Sequence, residues 1–330
     1  MRPHHLPACF ASTARTLATL FGAVAVVTSV AAADYPTKPI RMIVGSVPGS
    51  APDVLARLIG ERMRAQLGQA IVVDNRPGAT GTIAAALVSR ASPDGYTLYT
   101  AAAAISTTPA VYKLSYDVRK DFAAVGRIAS VPLILVVNSS GSIRTVADLV
   151  KMAKAKPGQM NYASPGRGGL QHLVTELFNK DAGVKMVHIP YKGGALAVLG
   201  VVQGEAQLFF SGMPPALPLI RQDKLRALAV TTKARSRAAP EVPTMAEAGI
   251  AGFEADNWHG VLAPARTPAD RVAKLNAVLK RALAEDSVEK VFLAAGAEPE
   301  WSSPAAFQAL VDAEVVRWEK LAREVGIRRQ

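Results

Sequence analysis

A single cysteine, Cys9, occurs in this 330-residue chain, and it falls in a segment that reads as removable. Without that segment the chain has no thiol, which excludes disulfides, zinc–thiolate centres and a cysteine nucleophile together. Aromatic residues are scarce, at 6%, and no run of five basic residues occurs. Single-strand nucleic-acid binders interleave basic and aromatic residues, so no nucleic-acid partner is expected despite a formal net charge of +12. Catalytic signatures are missing as well: there is no H-E-x-x-H, no G-x-S-x-G, no metal-spaced carboxylate cluster and no G-x-G-x-x-G. The apolar run over 17–30 is too short for a transmembrane span.

What that run does fit is export. Arg2 and Arg15 with no acidic residue, then the apolar run, then Ala31, Ala32 and Ala33 make residues 1–33 a signal peptide, with cleavage expected after Ala33. The rival is a lipoprotein box at Leu6-Pro-Ala-Cys9, but only five residues precede it and none of them forms an apolar region. Cleavage leaves 297 residues carrying +10, with two arginines lost from +12. A chain of that length can bury a core without disulfide staples, which suits the periplasm. The positive charge would steer anionic ligands toward a cleft, or attract the chain to anionic surfaces.

Short β-rich runs alternate with helical patterns nearly throughout. Residues 40–44, 71–73, 96–99, 133–137, 186–189, 207–210, 225–231 and 260–263 read as buried strands. Val54, Leu55, Leu58, Ile59, Met63 and Leu67 recur at helical spacing, as do Val272, Leu275, Val278, Leu279 and Leu283. The fold class is therefore α/β, with largely parallel sheets expected. Nothing resembles a flexible linker, so two lobes would be joined by extended chain near 133–138 and 256–263.

Four glycine-bearing turns stand between strands and helices. The first, Gly45-Ser46-Val47-Pro48-Gly49-Ser50, opens a helix, and backbone N–H groups at such a point suit a carboxylate or phosphate. Ser50 and Asp53 fit a capping box, with Asp53 a structural cap. The second, Asn75 to Gly81, reads as a cleft-edge loop in which Arg76 clamps an anion or pairs with a carboxylate. The third, Ser164-Pro-Gly166-Arg167-Gly168-Gly, is a second anion nest with a guanidinium at its lip, and His172 follows on the next helix. The fourth carries Tyr191 and Lys192, which could reach the cleft, beside a glycine pair that could serve only backbone packing. Ser46 or Ser164 with His172 is the one conceivable nucleophile pair, and nothing sets a base beside either serine.

The runs Tyr35-Pro-x-Lys-Pro-Ile-Arg, Pro48-Gly49-x-x-x-Asp53-x-x-Ala-Arg57, Asn75-Arg-Pro-Gly-Ala-x-Gly81, Pro93-Asp-Gly-Tyr-Thr-Leu98, Asn161-Tyr-Ala-Ser164, Pro190-Tyr-Lys-Gly-Gly194 and Val242-Pro-Thr-x-x-Glu-Ala-Gly249 resemble the substrate-binding proteins of tripartite tricarboxylate transporters, the Bug-type receptors. The likeness runs over essentially all of the mature chain. It implies a periplasmic receptor with the type II binding-protein fold, two α/β lobes with a ligand cleft between them. The implied lobes are residues 34–135 plus 259–330, and residues 136–258.

The resemblance further implies that one carboxylate of a small organic anion is held between the two anion nests. Candidate ligand residues are Ser46, Val47, Pro48, Gly49 and Ser50 on one side and Ser164, Gly166, Arg167, Gly168 and His172 on the other. Thr107 and Ser211 join them where the sequence departs from the family pattern. Ser211 stands where many members carry Asp, so a ligand without an amine is expected. Neither cofactor nor metal is implied. The implied partners are the carboxylate and two membrane permease subunits, the receptor itself acting as a monomer. A sensor domain in place of the permease, and a Ser/His hydrolase, are the alternatives.

Overall fold

Residues 35–329 are described by the computed structural model, so the signal peptide expected at 1–33, the expected cleavage site and Cys9 lie outside the described residues. The chain runs β1 (Ile40–Val44), α1 (Ala51–Leu67), β2 (Ile71–Asn75), a 3₁₀ turn (Ala79–Gly81), α2 (Thr82–Ser89), β3 (Thr97–Ala102), α3 (Ala104–Val111) and β4 (Phe122–Ser130). After a two-residue break follow β5 (Leu133–Asn138), α4 (Val146–Ala155), β6 (Asn161–Ser164), α5 (Leu170–Asp181), β7 (Val187–Pro190), α6 (Gly194–Val202), β8 (Leu208–Gly212), α7 (Met213–Arg221) and β9 (Leu225–Val230). The last elements are β10 (His259–Pro264), α8 (Ala269–Leu283), α9 (Asp286–Ala294), β11 (Glu298–Pro299) and α10 (Pro304–Glu324).

These strands form two sheets, ordered β11-β4-β10-β3-β1-β2 and β7-β6-β8-β5-β9. The fold is α/β as the alternating pattern requires, but the sheets are not largely parallel. Parallel pairing is confined to β1 with β2 and β3, and to β6 with β7 and β8. The pairs made by β10, β5 and β11 are antiparallel. The cause is the path of the chain. A strand arriving from the other sheet does not come through a helical crossover of its own sheet, and so it need not share its neighbours' direction.

Residues 133–138 are not themselves a crossing but the middle strand between β8 and β9; the chain changes sheets at Val131 and Pro132. It returns before β10, where Pro132 bridges Asp256. A buried cluster runs through both sheets. Tyr99, Phe122 and Leu262 of the first and Leu133, Leu135 and Phe210 of the second share it with Phe307 and Trp318 of α10. α10 packs on both α3 and α5.

Candidate functional site

The first glycine turn lies where β1 ends and α1 begins, and it is wired internally. Ser50 Oγ donates to the Val47 carbonyl at 2.7 Å, and Ser46 Oγ lies 2.7 Å from Ser50 Oγ. Asp53, only 2% exposed, accepts from the Gly49 N–H at 2.9 Å, from Asn75 Nδ2 at 2.9 Å and from Arg57 Nε at 3.1 Å. Burial alone would raise the Asp53 carboxyl, but these donors outweigh it and hold its pKa below the usual value. No capping box forms: the Ser50 side chain accepts no cap bond and is turned back toward Val47, to whose carbonyl it donates. Asp53 instead fastens the turn one residue earlier, at Gly49, where φ is +77°. With the Ser50 N–H bonded to the Val47 carbonyl at 3.3 Å, two of the three N–H groups over residues 47–50 are used inside the turn. Val47, Pro48 and Gly49 stay exposed.

Arg76 pairs with Asp74 at 3.1 Å, the second of the two readings open to it. Behind it Ala79 and Thr80 sit at φ +44° and +56°, a left-handed pair that a β-branched residue seldom adopts. This kinked loop closes one wall of a cavity of about 220 Å³. The other walls are Gly45, Ser46, Pro52, Tyr99, Thr100, Ala102, Ala104 and Ile105. It stands over the carboxyl ends of β1 and β3, where open α/β sheets bind ligands. Pro52 belongs to the first turn of α1, Ala104 and Ile105 to that of α3, and Gly81 is the N-cap of α2. No acidic or basic side chain lines it.

The third turn is held differently. Ser164 is fully buried; its Oγ donates to the Gly166 carbonyl at 2.9 Å and lies 2.6 Å from His188 Nε2. A carbonyl can only accept, so the serine proton belongs to Gly166 and His188 Nε2 is the donor. His172 Nδ1 accepts from the Gly168 N–H at 3.2 Å, and its ring stacks on His188 with centroids 4.1 Å apart. Burial lowers the pKa of His188 to about 4 and that of His172 further still, where the neighbouring His188 and Arg167 add to the effect. Both rings are neutral at pH 7, and His172 is a brace for the turn.

Thr107 also turns away from solvent: it is buried, and its hydroxyl proton is shared between the Ala104 carbonyl of its own helix at 3.0 Å and the Gly168 carbonyl at 3.2 Å. Tyr112 donates to the Arg167 carbonyl at 2.8 Å, while the Arg167 side chain is exposed. Ser211, buried on β8, donates to the Gly212 carbonyl at 2.9 Å. At the fourth turn the Tyr191 hydroxyl donates to Glu205 at 2.9 Å, and Lys192 is exposed.

The structure thus brings Ser46 and the α1 N-terminus to the cavity, and ties Thr107, Gly168 and His172 into a contact between α3 and the third turn. The sequence reading missed Thr80, Tyr99 and Thr100. Their signal was position, at the carboxyl ends of strands or in the loop beside them. A second cavity, of about 340 Å³, lies at the chain crossings and carries charges of both signs; there Arg127 pairs with Asp256 and, at 2.8 Å, with Glu300. Among the described residues no cluster of three or more His, Cys, Asp or Glu could hold a metal, and no helix is long and apolar enough to cross a membrane.

Residues 55–327 match the model of the tripartite tricarboxylate transporter family receptor. Protein BugT of Bordetella pertussis is 37% identical over 303 residues, covering 90% of this chain and 92% of its own. Among solved structures, R. palustris Rpa4515 with adipate is 38% identical, with a TM-score of 0.79 over 90% of this chain and all of its own. MatC from Rhodopseudomonas palustris with bound malate is 30% identical, with a TM-score of 0.76 over 87% of this chain and all of its own. This chain belongs to the tripartite tricarboxylate transporter receptor family, a family of receptors and not of enzymes.

Proposed function

We propose that the protein is a periplasmic receptor that captures one small organic carboxylate and hands it to the membrane subunits of a tripartite transporter. The observation that carries this reading is the cavity over β1 and β3: helix N-termini open onto it and no acidic side chain lines it. Helix N-termini carry partial positive charge and unpaired N–H groups, so such a space favours an anion without any lysine or arginine. The carboxylates bound by Rpa4515 and MatC agree with it.

In this reading the expected boundary at residue 135 moves back to the point where the chain changes sheets, so residues 34–132 with 259–330 form one lobe and residues 133–258 the other. Ser46, Val47, Pro48, Gly49 and Ser50 face the ligand from the first. Ser164, Gly166, Arg167 and Gly168 present the opposing turn, with His172 and Thr107 holding it in place. Ser211 lets the site do without a counter-charge for an amine, and residues 1–33 export the chain and are removed.

Thermal unfolding of the mature protein against a panel of carboxylates tests the reading. A ligand bound only by the folded state raises the melting temperature as its concentration rises. Gly49→Asp should abolish that rise while the protein still folds: space is open around a Cβ, Asp and Asn are the side chains that best tolerate the left-handed φ of +77° at a cost of about 1–2 kcal/mol, and the new charge repels the anion. Gly49→Asn, the same shape without the charge, should keep most of it. Shifts with sugars or peptides and none with any carboxylate would refute the proposal.

A further inference from the structure

We propose that two matching apolar patches, one on each sheet, dock the receptor on the membrane subunits that take its ligand. Val72 and Ile83 form the first patch, and Val187, Leu196 and Leu199 the second. This rests on the receptor reading above and adds the surface through which the receptor acts.

The two sheets are built alike. The run β1-α1-β2-α2-β3 in the first is repeated by β6-α5-β7-α6-β8 in the second. The strands lie in the order β2-β1-β3 and β7-β6-β8, parallel within each run, and an antiparallel strand follows β3 and β8 alike. β2 therefore answers to β7 at a sheet edge, and α2 answers to α6. Of the nine large apolar side chains exposed among the described residues, five stand on these four elements: Val72 on β2, Ile83 on α2, Val187 on β7, and Leu196 and Leu199 on α6. Scattered exposed apolar residues need no explanation, but their return at equivalent places in both halves does. Neither α2 nor α6 carries a charged side chain, although a helix that faces water ordinarily does, as α1, α4, α8 and α10 do here. Leu196 and Leu199, three residues apart, share the outer face of α6, while Val198 and Val201 are buried on the other.

Position and charge identify the occupant. Ile83 leans over the second glycine turn, since a Cβ at Gly78 would lie 2.6 Å from its Cδ1, and Thr80 and Gly81 of that turn line the ligand cavity. A body that covers the first patch thus touches the cavity rim, where a receiver of the ligand has to sit. Tyr191 of the fourth turn lies against Gly200 of α6, so the second patch is joined to its own glycine turn in the same way. The exposed charges in these turns are basic, Arg76 in one and Lys192 in the other, and Arg90 follows α2. The acids beside them are engaged: Asp74 by Arg41 and Arg76, and Glu205 by the Tyr191 hydroxyl. A second copy of this chain would bring like charges together, whereas loops with apolar tips and acidic flanks on a membrane subunit complement both patches. A partner that grips both sheets binds one relative arrangement of them best, which couples docking to ligand capture.

The only cysteine, Cys9, falls in the expected signal peptide, so Ile83→Cys and Leu199→Cys can each carry a benzophenone maleimide as the sole label on the mature chain. With the cognate membrane subunits in nanodiscs, with and without the carboxylate panel, photolysis should crosslink both positions to those subunits. The same label at Val316→Cys, exposed on α10 outside both patches, should not crosslink. Ile83→Gln and Leu199→Gln remove the apolar group without adding charge, and each should weaken docking about tenfold by biolayer interferometry. Their melting temperatures, and the rise produced by carboxylates, should match the parent's. No crosslink from either position, or docking unchanged in both Gln variants, would overturn the inference and leave the receptor reading standing. Equal binding to empty nanodiscs of anionic lipid would assign the patches to lipid. Self-association lost in the Gln variants by sedimentation velocity, with docking unchanged, would assign them to a second copy; either result overturns the inference. Failure of every carboxylate to bind the parent would overturn the receptor reading itself.

Discussion

His188 and Ser164 show how a pair that resembles catalytic chemistry serves structure instead. The serine proton lies on the Gly166 carbonyl, so the imidazole donates to the oxygen and has no proton to take from it. His188, His172 and His259 all stay neutral when folded, because burial depresses each below the ordinary 6.5. Between pH 6.5 and about 4 the unfolded chain therefore binds protons that the folded chain refuses. Their contribution is complete above 6.5 and is lost as the pH falls toward 4. Asp181, Asp256 and Glu300, raised by burial, act in the opposite sense, so the difference between two proteins is the useful readout. Urea midpoints measured from pH 7 to 4 should fall less steeply for His188→Asn than for the parent; parallel profiles would remove His188 from the account. The glycine turns were legible in the sequence because Gly, Ser and Pro between a strand and a helix permit little else. Which strand hydroxyls stay unpaired was not, since that depends on sheet neighbours: Thr100 of β3 stands between Val44 and Val261, neither of which can bond it.

At the scale of elements, α3 is the piece through which the two sheets meet near the site. Its Thr107 and the following Tyr112 bond to the Gly168 and Arg167 carbonyls. A Cβ at Gly168, where φ is +78°, would lie 2.8 Å from Val111. Gly168→Ala should therefore cost about 2–3 kcal/mol in urea denaturation, from strain plus overpacking. Tyr112→Phe should cost only about 0.5–1 kcal/mol, since one partly exposed hydrogen bond is lost. A reversed order would mean that the turn is not held by close backbone approach. Strands such as β1 and β2 could be read from composition. β4 escaped because Gly126 and Arg127 interrupt its pattern, and both answer to distant partners. A Cβ at 126 would meet Asn276 at 2.7 Å, and Arg127 reaches Asp256 and Glu300. Strand direction was equally hidden, because it follows from which sheet the chain has just left.

For the molecule as a whole, the crossings and the net charge matter most. Arg127 ties β4 to the returning chain through Asp256, which also accepts from Ser130 Oγ at 3.0 Å. Arg127→Met should destabilise by about 2–3 kcal/mol by stranding a mostly buried carboxylate, below the full cost for a buried pair because both side chains keep some exposure. The surplus positive charge should speed capture of anions, so the association rate measured by stopped flow should fall as salt rises from 20 to 300 mM, salt levels chosen to span roughly a fourfold change in Debye length. Above these stands one claim, that a single small carboxylate occupies the cavity over β1 and β3. Mass spectrometry of what copurifies with the native protein tests it most directly. The account predicts one organic acid per chain, recovered chemically unchanged; a sugar, peptide or nucleotide in its place would contradict it.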